Sequence, residues 1–180
     1  MVKSERQKLE EFLIYRDDYI DLLEEGAISK EEFNEKNHEL IERLNLRPFS
    51  NIANFQQGMY NYHYYNTMAK TSLYLSNKYK DENNLKKYKY ENNNKLNYYN
   101  EKDKATRAMV ELAEPGEMEA YYIKLHSKNL KTSIFEIYFK NKKRSILHSK
   151  SGEIKQLLID KNCFVDDVRT SRIDSYVNNG

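Results

Sequence analysis

The residues best suited to chemistry lie in two copies of the tetrapeptide LHSK, at residues 125–128 and 147–150. Each copy places a histidine and a serine beside a lysine, near the end of a predicted strand. In an antiparallel meander the first and third strands run in the same direction, so His126 and His148 are expected at one end of the sheet. Two histidines and two serines there predict an anion site or, alternatively, an acid–base pair.

Cations gather around the same strands, mostly in the predicted turn 140–144. A charged hairpin tip is usually a solvated turn that discourages edge pairing, and phosphate or nucleic-acid contact is the alternative. The helix predicted after this region begins near 151–153, where backbone donors beside a lysine form either a phosphate cradle or a simple N-cap. The candidate interaction or anion-binding residues are therefore Lys128, Lys140, Lys142, Lys143, Arg144, His126, His148, Lys150 and Ser151.

No pattern in the chain predicts catalysis, a metal site or a nucleotide. His63 has no second ligand at metal-binding spacing, which favours a structural hydrogen-bonding role. Cys163 is the single cysteine, so it cannot form an intramolecular disulfide, and we expect a buried small hydrophobic residue. The sequence therefore predicts a protein that is not an enzyme and that has no cofactor.

Length and composition predict one globular domain over residues 1–180, of which 39% are hydrophobic. The N-terminus lacks an apolar signal core, and no run approaches the length of a membrane span. Abundant Asn, Lys and Tyr with few Gly and Pro are typical of an AT-rich genome. We expect a protein of the cytoplasm that does not bind membranes.

The elements that must position these residues begin with an acidic helical hairpin over residues 4–46. Ser4 with Gln7 and Ser29 with Glu32 match the capping box, in which two side chains satisfy backbone donors at a helix start. Gly26 lies between the two predicted helices, where glycine takes the left-handed conformation that ends a helix.

Two longer tyrosine-rich helices are predicted over residues 50–114, which hold ten of the sixteen tyrosines. Ser50 or Asn54 can cap the first helix, and a polar break at 80–84 precedes the second. The apolar positions follow helical steps, and Leu96 is among those assigned to the apolar face of the second helix. Lysines between the rings suggest single-stranded nucleic acid, but helical spacing favours an aromatic core.

Beyond Gly116 the period changes to that of strands. Residues 118–126, 132–140 and 144–150 alternate and are rich in β-branched and aromatic side chains, which predicts a three-stranded antiparallel sheet followed by C-terminal helices over 117–180. The predicted fold class is α+β, with the helical hairpin and the tyrosine-rich pair preceding this small basic sheet.

Two stretches carry a resemblance. LLEEGAISKEEFNEKNHELIERL, residues 22–44, resembles the SHOCT motif, a short helix-turn-helix module, and the resemblance implies oligomerisation. LNLRPFSNIANFQQGMYNYHYYN, residues 44–66, together with the SYVNNG end, resembles an uncharacterised family of small clostridial proteins. That resemblance implies a bacterial cytoplasmic origin and no particular activity.

The charge is asymmetric, because residues 1–47 carry 8 basic and 13 acidic side chains whereas the whole chain has a net charge of +2. Such a dipolar chain steers partners or favours head-to-tail self-contact. The leading prediction is a protein-interaction or adaptor module that binds a protein partner or another copy. The alternative is nucleic-acid binding through the basic sheet, and a third hypothesis is a small inhibitor encoded by a phage or mobile element.

Overall fold

A computed structural model describes residues 2–126, 131–139, 146–148 and 152–166. The chain packs as two compact units, Met1–Ala105 and Thr106–Gly180. The single domain predicted over residues 1–180 stays a prediction.

The first unit opens with the helical hairpin, in which α1 spans Glu5–Glu24 and α2 spans Lys30–Arg43. Both predicted capping boxes are confirmed. Ser4 Oγ accepts from the backbone N–H of Gln7 at 3.2 Å, and Ser29 Oγ accepts from that of Glu32 at 3.1 Å, while each N3 side chain accepts from the backbone of its cap. These bonds satisfy donors that a helix start otherwise leaves without partners, so they fix where both helices begin.

Gly26 ends α1 with a φ of 74°, and nothing lies within 4 Å of an added Cβ. A side chain at this position therefore destabilises the protein only through the strain of the left-handed backbone. We expect Gly26→Ala to lower the free energy of unfolding by about 1 kcal/mol, and Gly26→Asn by less because asparagine tolerates this conformation. Chemical denaturation of the two variants measures the difference. Equal stability of wild type and Gly26→Ala would contradict the assignment of this turn.

Two long helices follow, α3 at Phe55–Asp81 and α4 at Leu85–Leu112. Asn54 caps α3, because its side chain accepts from the backbone N–H of Gln57 at 2.9 Å. Between the helices Asn83 is left-handed, with a φ of 55°, and Asn84 Oδ1 accepts from the N–H of Lys87. The predicted polar break is thus a tight turn that allows α4 to return along α3, where Tyr65 and Tyr98 meet at 6.3 Å between ring centroids.

The core of the first unit is aromatic at its centre. Tyr60 is 2% exposed and packs edge-on against Phe12 of α1 and Phe49, at 5.7 and 5.4 Å between ring centroids. Its hydroxyl donates to the carbonyl of Arg47 at 3.1 Å, so the ring is buried and the polar tip is satisfied. The cluster joins α1, α2, the following loop and α3 through Leu9, Phe12, Leu40, Ile41, Leu44, Leu46, Tyr60 and Tyr64.

The second unit contains the end of α4, a 3₁₀ turn at Pro115–Glu117, four strands and α5 at Gly152–Asp160. The strands are β1 at Met118–His126, β2 at Lys131–Phe139, β3 at Ile146–His148 and β4 at Phe164–Asp166. Buried apolar side chains come from the last turns of α4, from the residue after it, from β2 and from α5: Met109, Val110, Ala113, Ile137, Ile154 and Leu158.

The predicted fold class, α+β with a three-stranded antiparallel sheet, is wrong. The described part of the chain is mostly helical. Its extended segments pair in the order β3-β2-β1-β4 rather than as a three-stranded meander. β4 lies parallel to β1, so the sheet is mixed. The prediction failed because β4 has only three residues, too few to show the alternation by which strands are recognised.

Candidate functional site

Most of the residues predicted to bind an anion or a partner lie outside the described residues. These are Lys128, Lys140, Lys142, Lys143, Arg144, Lys150 and Ser151. Their proposed contact with phosphate or a partner therefore stays a prediction, and the candidate site is built from other parts of the chain.

His126 and His148 stand on the two strands that flank β2. The register places His126 opposite Lys131 and His148 opposite Phe135. The two backbone positions are thus offset by four residues along β2, about 13 Å, and by two strand spacings, roughly 10 Å. The anion site and the alternative acid–base pair at these two histidines both stay predictions.

The first unit exposes apolar side chains on α1, away from the core. Leu9, Phe12 and Ile20 face inward, whereas Ile14 is 62% exposed and Leu22 37% exposed. At 100° per residue Ile14 lies nearly opposite the buried stripe, so α1 is apolar on two sides. An amphipathic helix that serves only its own core has one such side, and the second side of α1 therefore marks a candidate docking surface.

A shallow open depression of about 390 Å³ lies beside Ile14 and is lined by Gln7, Glu10, Glu11, Ile14 and Tyr15. Arg6 pairs with Glu10 at 2.9 Å and Lys3 pairs with Glu11, so cations of the same helix start offset the carboxylates there. Arg43 of α2 lies over the Tyr15 ring at 5.2 Å, which holds that ring in place. We call the surface formed by Ile14, Tyr15, Asp18 and Leu22 the α1 outer face.

The N-terminal half of α4 is a second surface with exposed apolar side chains. Leu85 is 66% exposed, Tyr90 65% and Leu96 48%. The sequence interpretation assigned Leu96 to the apolar face that packs on α3, and the structure places it at the surface instead. No residue from 81 to 98 is buried, so this end of the α3–α4 pair contributes little to the core.

Lysines are unexpectedly buried where α3 and α4 meet. Lys102 is 4% exposed, and its ammonium lies over the rings of Tyr62 and Tyr99, at 5.4 and 5.3 Å from the centroids. Its Nζ also donates to Asn66 Oδ1 at 3.4 Å. Aromatic faces are electron-rich and attract a cation, so the two rings stabilise a charge that burial would otherwise penalise.

Lys70, one turn beyond Asn66, has a pKa lowered to about 8. Burial is the main cause, and the like charges of Lys102 and Lys30 add to it. An amine with such a pKa is partly neutral near physiological pH, which is the state that bases and nucleophiles require. No sequence pattern indicates this lysine, because its environment forms only when α3 and α4 pair.

Stability should respond to pH through Lys70. Because its folded pKa is depressed, the unfolded chain binds more protons between pH 8 and 10, and stability rises with pH in that window by about 1 kcal/mol. Above pH 10 the buried tyrosines oppose this, because burial raises the pKa of Tyr64 and Tyr65 and the unfolded chain ionises first. Denaturation between pH 8 and 10 measures the slope.

Lys70→Met should remove that positive slope and raise stability at pH 7 by about 1 kcal/mol, because a charge that is costly to bury is gone. Lys86→Met, at an exposed position of α4, is the matched control and should keep the slope of the wild type. An unchanged slope in Lys70→Met would show that another group titrates in this window.

Cys163 and His63 are the remaining residues that the sequence analysis considered. Burial raises the pKa of the Cys163 thiol, which keeps it protonated, and its Sγ donates to the carbonyl of Leu158 at 3.3 Å. His63 packs edge-on against Tyr62 at 5.2 Å. Among the described residues, no group of three His, Cys, Asp or Glu side chains could hold a metal ion. Every helix in that part of the chain is too short or too polar to cross a bilayer.

The fold and these surfaces define a mostly helical protein with exposed apolar faces on two helices of its first unit. The chain belongs to a family of unknown function (DUF6648), whose model matches residues 2–180. No curated protein and no solved structure matches the chain. The family match does not bear on the SHOCT resemblance of residues 22–44 or on a clostridial origin, and both stay hypotheses.

Proposed function

We propose that this protein is a non-enzymatic interaction module, an adaptor whose protein partner docks on the α1 outer face. The observation that carries the proposal is the exposure of Ile14, at 62%, on the side of α1 opposite its buried stripe. Fully burying an exposed isoleucine stabilises a complex by about 1.5–3 kcal/mol, so Ile14 favours the binding of a partner on this surface.

The residues around Ile14 add an aromatic ring and a negative charge to the α1 outer face. Tyr15 supplies a ring held by Arg43, and aromatic residues are enriched at the centres of interfaces. The α1 helix contains seven acidic and three basic side chains, so it has a net charge of −4. The partner surface is therefore expected to be apolar at its centre and basic at its rim.

Affinity capture from a lysate of the source cells tests this function, with the wild-type chain and two variants as bait. Ile14→Asp places a carboxylate in the apolar centre of the α1 outer face. Ile159→Asp makes the same change at another exposed isoleucine, on α5, where Ile159 is 43% exposed. Each lysate is run with and without nuclease, and thermal unfolding verifies that both variants fold.

We expect a protein that wild type and Ile159→Asp retain, that Ile14→Asp loses, and that nuclease does not release. Capture that disappears with nuclease and falls steeply with salt would support the rival function, nucleic-acid binding through the basic segment 140–144. Capture unaffected by Ile14→Asp would overturn the assignment of the face. A small inhibitor from a mobile element is a special case in which the captured partner is a host enzyme.

A further inference from the structure

We propose that the partner of the α1 outer face is a second copy of this chain, which docks through the exposed stripe of Leu85, Lys89 and Leu96 on α4. In the proposed head-to-tail contact, the α1 outer face of one copy meets the exposed stripe on α4 of the next copy. This inference rests on the proposed function and names its partner. We call the second surface the α4 stripe.

The α1 outer face presents an acidic side chain between two apolar ones. Ile14, Asp18 and Leu22 follow each other at steps of four residues, so they form one line about 12 Å long on the helix surface. All three are exposed. Asp18 therefore lies in the middle of a contact that Ile14 and Leu22 would bury at its ends.

The α4 stripe has a similar order of side chains, with the opposite charge in the middle and a longer spacing from Lys89 to Leu96 than from Lys89 to Leu85. Leu85, Lys89 and Leu96 share one side of α4 over about 16 Å, and all are exposed. Lys89 lies between the two leucines as Asp18 lies between its neighbours. Docking the two helices side by side with the lysine against the aspartate places Leu85 on one apolar end of the α1 outer face and Leu96 about 4 Å beyond the other, and electrostatic complementarity favours this pairing of charges.

Net charges of the two segments support this pairing over others. The α1 helix carries −4, whereas residues 85–96 carry four lysines and one glutamate, a net charge of +3. A symmetric contact of α1 with α1, or of α4 with α4, would bring like charges together and is disfavoured. Within one chain both surfaces are exposed, so neither covers the other.

A head-to-tail contact leaves one surface of each kind open at the ends of a pair. Further copies can add, and the assembly becomes a ring if the rotation closes or a chain if it does not. The apolar part of each surface is small, so the association should depend on concentration and weaken with salt as the Asp18–Lys89 attraction is screened.

Sedimentation velocity of the full chain, with nucleic acid removed, tests the proposal. Wild type should grow from the 21.6 kDa of one chain to larger species as concentration rises, and growth should weaken as sodium chloride increases. Ile14→Asp and Leu96→Asp each block one of the two surfaces, and each should remain at one chain mass. Ile159→Asp should behave as wild type.

The decisive arm mixes the two blocked variants in equal amounts. Each retains the surface that the other lacks, so the mixture should form a species of two chains and nothing larger. Wild type that stays at one chain mass at every concentration would overturn the proposal. So would a wild type that assembles while the mixture of variants does not, because the mixture contains one intact surface of each kind.

The two proposals fail separately. If wild type remains monomeric but still captures another protein in a manner that needs Ile14, the interaction function stands and the second copy is the wrong partner. If Ile14→Asp changes neither capture nor mass, both proposals fall.

Discussion

Replacing Tyr60 by alanine is expected to lower the free energy of unfolding by about 3–5 kcal/mol, the range for removing a large aromatic side chain from a core. Tyr60 is 2% exposed and touches the rings of Phe12, Phe49 and Tyr64 at centroid distances of 5.4 to 6.3 Å. The substitution leaves a cavity at the point where α1, the loop after α2 and α3 meet. Urea denaturation followed by far-UV circular dichroism measures the loss.

Two further variants separate packing from hydrogen bonding and from helix propensity. Tyr60→Phe keeps the ring but leaves the Arg47 carbonyl without its hydroxyl donor, and should cost about 1 kcal/mol. Tyr90→Ala removes a tyrosine that is 65% exposed and should change stability by less than about 0.5 kcal/mol. Equal losses in Tyr60→Ala and Tyr90→Ala would mean that the aromatic rings do not form the core.

Asn61→Ala should cost about 3 kcal/mol although the side chain is small and polar. Asn61 is 3% exposed, and its amide accepts from the N–H of Phe49 and donates to the carbonyl of the same residue, both at 2.9 Å. It thus fastens the loop after α2 to α3. Truncation leaves a partly buried backbone donor and a partly buried backbone acceptor without these partners, at about 1–3 kcal/mol each.

The control for this experiment is Asn93→Ala, at an exposed position of α4. Alanine is the better helix former, so this change should be neutral or slightly stabilising. Hydrogen exchange adds a specific readout, because the amide of Phe49 should lose protection in Asn61→Ala. A stable variant with a protected Phe49 amide would contradict the role assigned to Asn61.

The helix boundaries of the first unit could be predicted because their signals are local. A cap such as Ser29 with Glu32 acts over three residues, and the left-handed Gly26 acts through its own backbone. Such interactions do not depend on the rest of the fold, so the sequence contains all that is needed to recognise them.

The sheet was mispredicted because its last pairing is not local. β4 pairs with β1 through Phe164 and Ala120, two residues far apart in the chain, and its three residues carry no period. Leu96 was misassigned for a related reason. Helical spacing shows which residues share a side of α4, but only the pairing with α3 shows which side is buried.

The candidate site could not be predicted from the sequence either. The prediction concentrated on clustered cations and repeated histidines, of which most lie outside the described residues. No sequence motif marks the α1 outer face. Ile14 and Leu22 lie outside the buried stripe of α1, and this can be recognised only when the buried residues of the helix are known. Asn61 was missed because nothing local indicates that its amide reaches the backbone of Phe49.

Disulfide trapping tests the central claim, the docking of the α1 outer face on the α4 stripe, most directly. An Ile14→Cys chain and a Leu96→Cys chain, distinguished by mass tags, are mixed and oxidised gently; native Cys163 is buried and does not compete. We predict that the mixed disulfide forms faster than either homodimer, because only the two different surfaces meet. Homodimers that form as fast as the mixed species would contradict it.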